Sequence, residues 1–179
     1  MLCECICSAL AVVVYSQSYA GLTAVPGDIP FDVNRISLDH NQITSLEDNV
    51  FSPCTDLSFL TLADNLISSI SPTAFDGCSK VNTLLLYNNK LETFPNLSAM
   101  GSSLLNLYIG GNQFLNLLPG DFVNLIALQL LQLNNGCLKN SPPDFSFKNG
   151  LQIVKDLYLA DLGVSDLTTH LQNLTTVTT

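Results

Sequence analysis

Apolar residues recur along this chain in one fixed string. Leu57, Leu60, Leu62, Asn65 and Ile67 are followed, about 24 residues later, by Val81, Leu84, Leu86, Asn89 and Leu91. The string also stands at Val33, Ile36, Leu38, Asn41, Ile43 and at Leu104, Leu107, Ile109, Asn112, Phe114. Two weaker copies, Leu128, Leu131, Leu133, Gly136, Leu138 and Val154, Leu157, Leu159, Leu162, Val164, lack the asparagine. A second apolar column holds Leu46, Ile70, Phe94, Leu117 and Leu167, with Ser141 as its polar member, and a third holds Phe51, Phe75 and Phe122. Within each copy the apolar positions alternate with period two. That predicts one short strand per unit, with Leu60 and Leu62 inward and Phe59, Thr61 and Ala63 outward. A lone strand cannot bury its leucines, but parallel strands stacked at about 4.8 Å continue each leucine column into the next unit. The expected core is a line of columns running through six repeats, which start near residues 33, 57, 81, 104, 128 and 154 and fill 33–176, with 177–179 opening a seventh. Asn41, Asn65, Asn89 and Asn112 stand where the chain leaves each strand, where an amide satisfies backbone groups that burial would leave unpaired. They are expected to form a structural ladder.

At this period, L-x-x-L-x-L-x-x-N-x-L resembles the leucine-rich repeat family, over roughly residues 22–177. The resemblance implies an α/β solenoid, a horseshoe with a parallel β-sheet on its concave face and irregular loops, 3-10 or short helical turns on its convex face. Residues 21–32, with Leu22, Val25-Pro26 and Ile29-Pro30, resemble the end of the N-terminal cap of animal extracellular members. The family's cap also carries a cysteine cluster; Cys3, Cys5 and Cys7 fall where it begins, and its fourth cysteine is missing near Val14 to Gln17. Residues 1–20 carry a competing pattern. The apolar run Ala9 to Tyr15 followed by Ser18-Tyr19-Ala20 predicts a cleaved signal peptide, although Glu4 stands where a positive charge belongs. Both alternatives, leader or imperfect cysteine-rich cap, imply a location outside the cell. At the other end the chain stops at Thr179 without a closing cap. The expectation there is the N-terminal part of a longer product, or a dimer through the uncapped C-terminal end.

Composition narrows the function classes. With 47% hydrophobic and 12% charged residues the chain is not a disordered one. Fifteen acidic against six basic residues give a net charge of −9, which offers no field for phosphate and predicts no nucleic-acid partner. No stretch reaches the 18 or so apolar residues of a membrane span. Cys54 and Cys78 occupy one core column in successive repeats, three residues before Leu57 and Val81, which leaves buried free thiols or a mutual bridge as the alternatives. Cys137 stands alone in the fifth repeat. Asn96-Leu97-Ser98 and Asn173-Leu174-Thr175 are glycosylation sequons; Asn96 lies in a shortened third repeat expected to loop outward. There is no nucleophile elbow, phosphate loop or zinc-binding spacing, and the histidines are His40 and His170 alone, so neither enzyme activity, cofactor nor metal is expected.

The remaining candidate surface is the outward face of the strands. Its central column should run Ser37, Thr61, Leu85, Tyr108, Gln132, Tyr158, flanked by Arg35 and Phe59 on one side and by Asp39, Tyr87 and Gly110 on the other, with His40, Asp64 and Gly111 beyond. Phe59, Tyr87, Tyr108 and Tyr158 are the favoured anchors, since exposed aromatics give large contact area at small entropic cost; packing against their neighbours is the alternative. Leu85, Gln132, Asp39 and Asp64 complete the candidate ligand-binding set, and the Gly110-Gly111 pair is expected to leave a gap in the surface. The carboxylates favour a neutral or basic protein partner. Two functions follow by resemblance. One is a recognition ectodomain similar to those of Toll-like receptors, Slit-type guidance proteins or variable lymphocyte receptors. The other is a self-assembling matrix protein like the small leucine-rich proteoglycans, with a cytosolic scaffold as the outsider.

Overall fold

The structure is a computed structural model and describes residues 12–115, 117–134 and 154–158. Cys3, Cys5, Cys7, Cys137, His170, Asn173 and the end of the sixth repeat lie outside the described residues. Seven three-residue strands form one parallel sheet: β1 (Val14–Ser16), β2 (Arg35–Ser37), β4 (Phe59–Thr61), β6 (Thr83–Leu85), β7 (Asn106–Tyr108), β8 (Leu130–Gln132) and β9 (Asp156–Tyr158). They lie side by side in chain order, each strand displaced by one repeat from the last. Behind them β3 (Ser45–Leu46) pairs with β5 (Ser69–Ile70). Among the described residues, two 3-10 turns, Ser98–Met100 and Pro119–Phe122, complete the regular elements and no α-helix occurs. This is the expected solenoid, with its α/β label carried by short turns.

The register reproduces the columns read from the spacing. Ile36, Leu60, Leu84, Leu107, Leu131 and Leu157 are successive pairing partners, and all are buried. Leu38, Leu62, Leu86, Ile109 and Leu133 form a second buried row. The phenylalanine column closes the rear: Phe51 and Phe75 stack with ring centroids 6.1 Å apart and planes within 4°. In the shortened third repeat the corresponding space is filled by Leu97 and Met100, and Phe94 tilts against Phe122 at 4.8 Å. Continuous columns of this kind supply most of the stability, since each buried leucine contributes about 2 kcal/mol.

Asn41, Asn65, Asn89 and Asn112 hydrogen-bond from one repeat to the next. Asn65 Oδ1 accepts from the Ile43 N–H at 3.1 Å, while its Nδ2 donates to the carbonyls of Leu38, Leu62 and Ala63 at 2.9 to 3.1 Å. Asn89 does the same for the Ile67 N–H and for Leu62, Leu86 and Tyr87, and Asn112 for the Leu91 N–H and for Leu86 and Ile109. Each amide bonds both its own turn and the preceding one, so it sets the pitch of the stack as well as the turn. All four are buried.

At the N-terminus, where a leader ending at residue 20 and an imperfect cap are the alternatives, residues 12–32 belong to the solenoid. β1 pairs with β2 in full register, Tyr15 facing Ile36, and residues 12–32 run into the first repeat as one cap. The Val13 N–H donates to Asn34 Oδ1, the Gln17 N–H to the Ser37 carbonyl, and Asn41 Oδ1 accepts from both Ala20 and Leu22 at 3.0 Å. Val13, Tyr15, Leu22, Val25 and Ile29 pack on the core. A chain cut after Ala20 would lose an integral strand and uncover Ile36 and Leu38. Tyr15 stands in the stretch where the cap's fourth cysteine was missing; its hydroxyl donates to Asp28 at 2.8 Å, and burial with that carboxylate raises its pKa.

Cys54 and Cys78 are both free and buried, so the core-thiol alternative is the one the structure adopts. Burial, with smaller contributions from Cys54 and Asp76, pushes the Cys78 thiol up to about 12. Both thiols should therefore resist alkylation at pH 8 until the chain unfolds, which a denaturant-dependent labelling series checks. The linkage has a defined sign. The unfolded thiol ionises near pH 9 and the folded one does not, so this site leaves stability unchanged below about 9 and reduces it as pH rises towards about 12.

Candidate functional site

Parallel pairing carries the outward side chains into columns. The central one runs Ser16, Ser37, Thr61, Leu85, Tyr108, Gln132, Tyr158, and its neighbour runs Val14, Arg35, Phe59, Thr83, Asn106, Leu130, Asp156. Phe59, Leu85, Tyr87, Tyr108 and Gln132 are half-buried, and Tyr158 is 40% exposed. Two positions read as outward surface are not available. Thr61 and Ala63 are buried, because small side chains in columns shared with larger neighbours are shaded by them. Lateral packing also claims part of Phe59: the Arg35 guanidinium sits 4.0 Å above its ring, a cation–π contact that pins both.

A further column follows from backbone conformation. The residue leaving each of β1, β2, β4, β6 and β7 has positive φ: Tyr19 at 58°, His40 at 55°, Asp64 at 52°, Asn88 at 55° and Gly111 at 69°. Left-handed backbone crowds Cβ, and Asn, Asp, His and Gly are the residues that tolerate it. The column's residue types thus answer a steric demand first. They also bring a polar cluster together. His40 Nε2 lies 3.6 Å from Asp64 Oδ2 and 3.9 Å from Asp39 Oδ2, and Asn88 Nδ2 donates to Asp64 Oδ1 at 2.8 Å. Ser18 Oγ donates to Asp39 Oδ1 at 2.7 Å. Burial raises the pKa of Tyr87, and the charges of Asp64 and Asp39 add to the rise, so its phenol stays a hydrogen-bond donor at neutral pH. Asp39, Asp64 and Tyr87 therefore act as one group at the N-terminal end of the sheet, whereas Tyr108, Gln132 and Tyr158 stand further along it.

Tyr19 belongs to this cluster and was hidden by the leader reading. Its ring stacks on His40 with centroids 4.2 Å apart and planes 14° apart, yet 75% of the residue is exposed. A bulky residue held at φ 58° costs about 1 kcal/mol relative to glycine. The sequence signal was present: Ala20-Gly21-Leu22 stands where Asn41-Gln42-Ile43 stands one unit later. Gly110 and Gly111 do not leave the expected gap. Gly110 is buried, and a Cβ on it would collide with the backbone of Asn134; one on Gly111 would collide with Asn88.

Asn96 is exposed on the turn after Phe94. Two clefts lie around Phe94 and Asp121, away from the strand face; the one lined by Asn96 measures about 240 Å³. No described group of three His, Cys, Asp or Glu side chains could hold a metal ion, and no described helix is long and apolar enough to cross a membrane.

The leucine-rich repeat family profile matches residues 32–91. Among solved structures, the chain is similar to TLR13, crystallised in a complex with ssRNA13, with 27% identity and a TM-score of 0.66 over 80% of this chain and 21% of that one. It is also similar to the internalin inlF of Listeria monocytogenes, with 28% identity and a TM-score of 0.57 over 73% of this chain and 35% of that one. The chain thus spans about a fifth to a third of the length of these proteins. No curated protein matches the sequence. The chain carries leucine-rich repeats, and its fold is the leucine-rich repeat solenoid.

Proposed function

We propose that this leucine-rich repeat solenoid is a non-catalytic recognition module that works outside the cell and binds a protein ligand through its strand face. The observation that carries this reading is the cluster at the N-terminal end of the sheet, where exposed Tyr19, His40 and half-buried Tyr87 surround Asp39 and Asp64. Aromatic rings beside carboxylates suit a ligand that brings both apolar and cationic side chains. Tyr19 strengthens the case, because an exposed ring kept in a costly backbone conformation serves the fold poorly. The extracellular part rests on the cap-like segment Leu22 to Pro30 and the upstream cysteines.

The complex of TLR13 with ssRNA makes nucleic acid the alternative ligand class. Asp39, Asp64 and Asp156 on the face, against an Arg35 already engaged by Phe59, favour protein. Two variants test the site. Tyr19→Gly is expected to leave the unfolding free energy within about 1 kcal/mol of the wild type, since it relieves the backbone while losing a stacking contact. Together with Asp64→Asn it should weaken a protein ligand found in a panel of extracellular proteins by tenfold or more, about 1.4 kcal/mol. Tight binding of single-stranded RNA at physiological salt, unaffected by either change, would replace the protein reading.

A further inference from the structure

We propose that Asn96 is an N-glycosylation site whose glycan leaves from the rear edge of the solenoid; this rests on the extracellular location proposed above. The sequon Asn96-Leu97-Ser98 is presented in a way its neighbours impose. Leu97 is 3% exposed and anchors the tripeptide in the core, while Asn96 and Ser98, the two residues the chemistry needs, both face solvent. Asn96 Oδ1 accepts from the Ser98 N–H at 3.2 Å, which folds the tripeptide into a tight turn with the amide and the hydroxyl on the same short loop. Asn96 Nδ2 donates to the Pro72 carbonyl at 2.9 Å. An amide has two such hydrogens and a glycosylated one keeps one, so modification leaves Nδ2 a donor.

Position supports the same assignment. Pro72 follows β5 of the rear sheet, so Asn96 stands on the edge away from the strand face, and a glycan there leaves the proposed binding surface open. A cleft of about 240 Å³, lined by Asn96 with Phe94, Leu97, Asp121, Asn124 and Leu125, leaves open space beside the amide. The transfer requires a lipid pyrophosphate-linked oligosaccharide. Nδ2 attacks the anomeric carbon, a C–N bond forms, the C–O bond to the pyrophosphate breaks, the amide gives up one proton, and the lipid pyrophosphate leaves.

The experiment places a cleavable signal peptide from another secreted protein before the whole chain, expresses it in animal cells, and maps the peptide containing Asn96 in the secreted protein before and after peptide N-glycosidase. The expected result is a glycan on Asn96 that the glycosidase removes, leaving aspartate. It should vanish in Asn96→Gln and Ser98→Ala, and persist at equal or greater occupancy in Ser98→Thr. Secreted wild-type chain with a bare Asn96 overturns the proposal. The chain with its own N-terminus is run beside it. If that chain stays inside the cell while the fused chain is glycosylated, the location fails and the site stands.

Discussion

Replacing Asn65 by alanine should lower stability by about 3 kcal/mol, one of the largest effects open to a single polar residue here. The reason lies in what the amide leaves behind. The Ile43 N–H is buried and takes Asn65 Oδ1 as its acceptor, and the Leu38, Leu62 and Ala63 carbonyls each lose a donor. Those carbonyls keep partial compensation: Leu38 from Asn41, Leu62 from Asn89, Ala63 from the His40 N–H. The orphaned N–H and the cavity therefore carry most of the cost. Asn65→Asp separates hydrogen bonding from volume. The carboxylate still accepts from Ile43 but faces three carbonyl oxygens, so at pH 7 this variant should be at least as unstable as the alanine one. Burial and those oxygens raise its folded pKa above the unfolded value, so its deficit should shrink as pH falls through that raised pKa, where the protonated acid donates again. Urea unfolding across pH 4 to 8 reads both. Equal stability of Asn65→Ala and wild type would mean that the ladder does not hold the stack.

Gly110→Ala should cost a similar amount, about 2 to 4 kcal/mol, for a different reason. The added Cβ meets the Asn134 carbonyl oxygen, with the Asn134 nitrogen at 2.9 Å, and both belong to the backbone of the next repeat. A flexible side chain could move aside; a strand-exit backbone bonded into the ladder cannot. Ile109 and Gly111 donate to Gln132 and Asn134 at 2.9 and 2.7 Å, so opening this contact strains the junction of repeats four and five. Gly120→Ala is the control, since nothing lies within 4 Å of its would-be Cβ. Thermal unfolding of the two variants should separate them clearly.

These two residues mark where sequence reasoning reached and where it stopped. Asn65 was legible because its role repeats: the same residue at the same phase in four units can only answer a demand each unit makes. Gly110 was not, because its constraint is a close approach to Asn134, and its column otherwise holds Asp39, Ala63 and Tyr87. The repeat columns were legible through Leu157 for the same periodic reason. β1 was missed because its unit departs from the period on several positions at once, with Tyr15 and Gln17 where Ile36 and Leu38 stand later and Ala20 in place of an asparagine. A short apolar run such as Val12 to Tyr15 fits a leader and an edge strand equally well until a pairing partner is known. The strand-face columns followed from register alone, but burial did not: Thr61 and Ala63 share the outward phase with Phe59 and are shaded by neighbours that no single repeat reveals. Tyr19, hidden with β1, is the main addition to the candidate site.

The strand face is the proposed recognition surface. The most direct measurement is the affinity of one extracellular protein ligand, selected with the wild-type chain, for two variants carrying equal numbers of changes. One alters the face, Tyr87→Ala with Asp64→Asn, and one alters the rear, Asp48→Asn with Lys80→Ala. The face variant should lose about tenfold to a hundredfold in affinity while the rear variant binds as the wild type does. Loss confined to the rear variant, or undiminished binding by both, would contradict the claim.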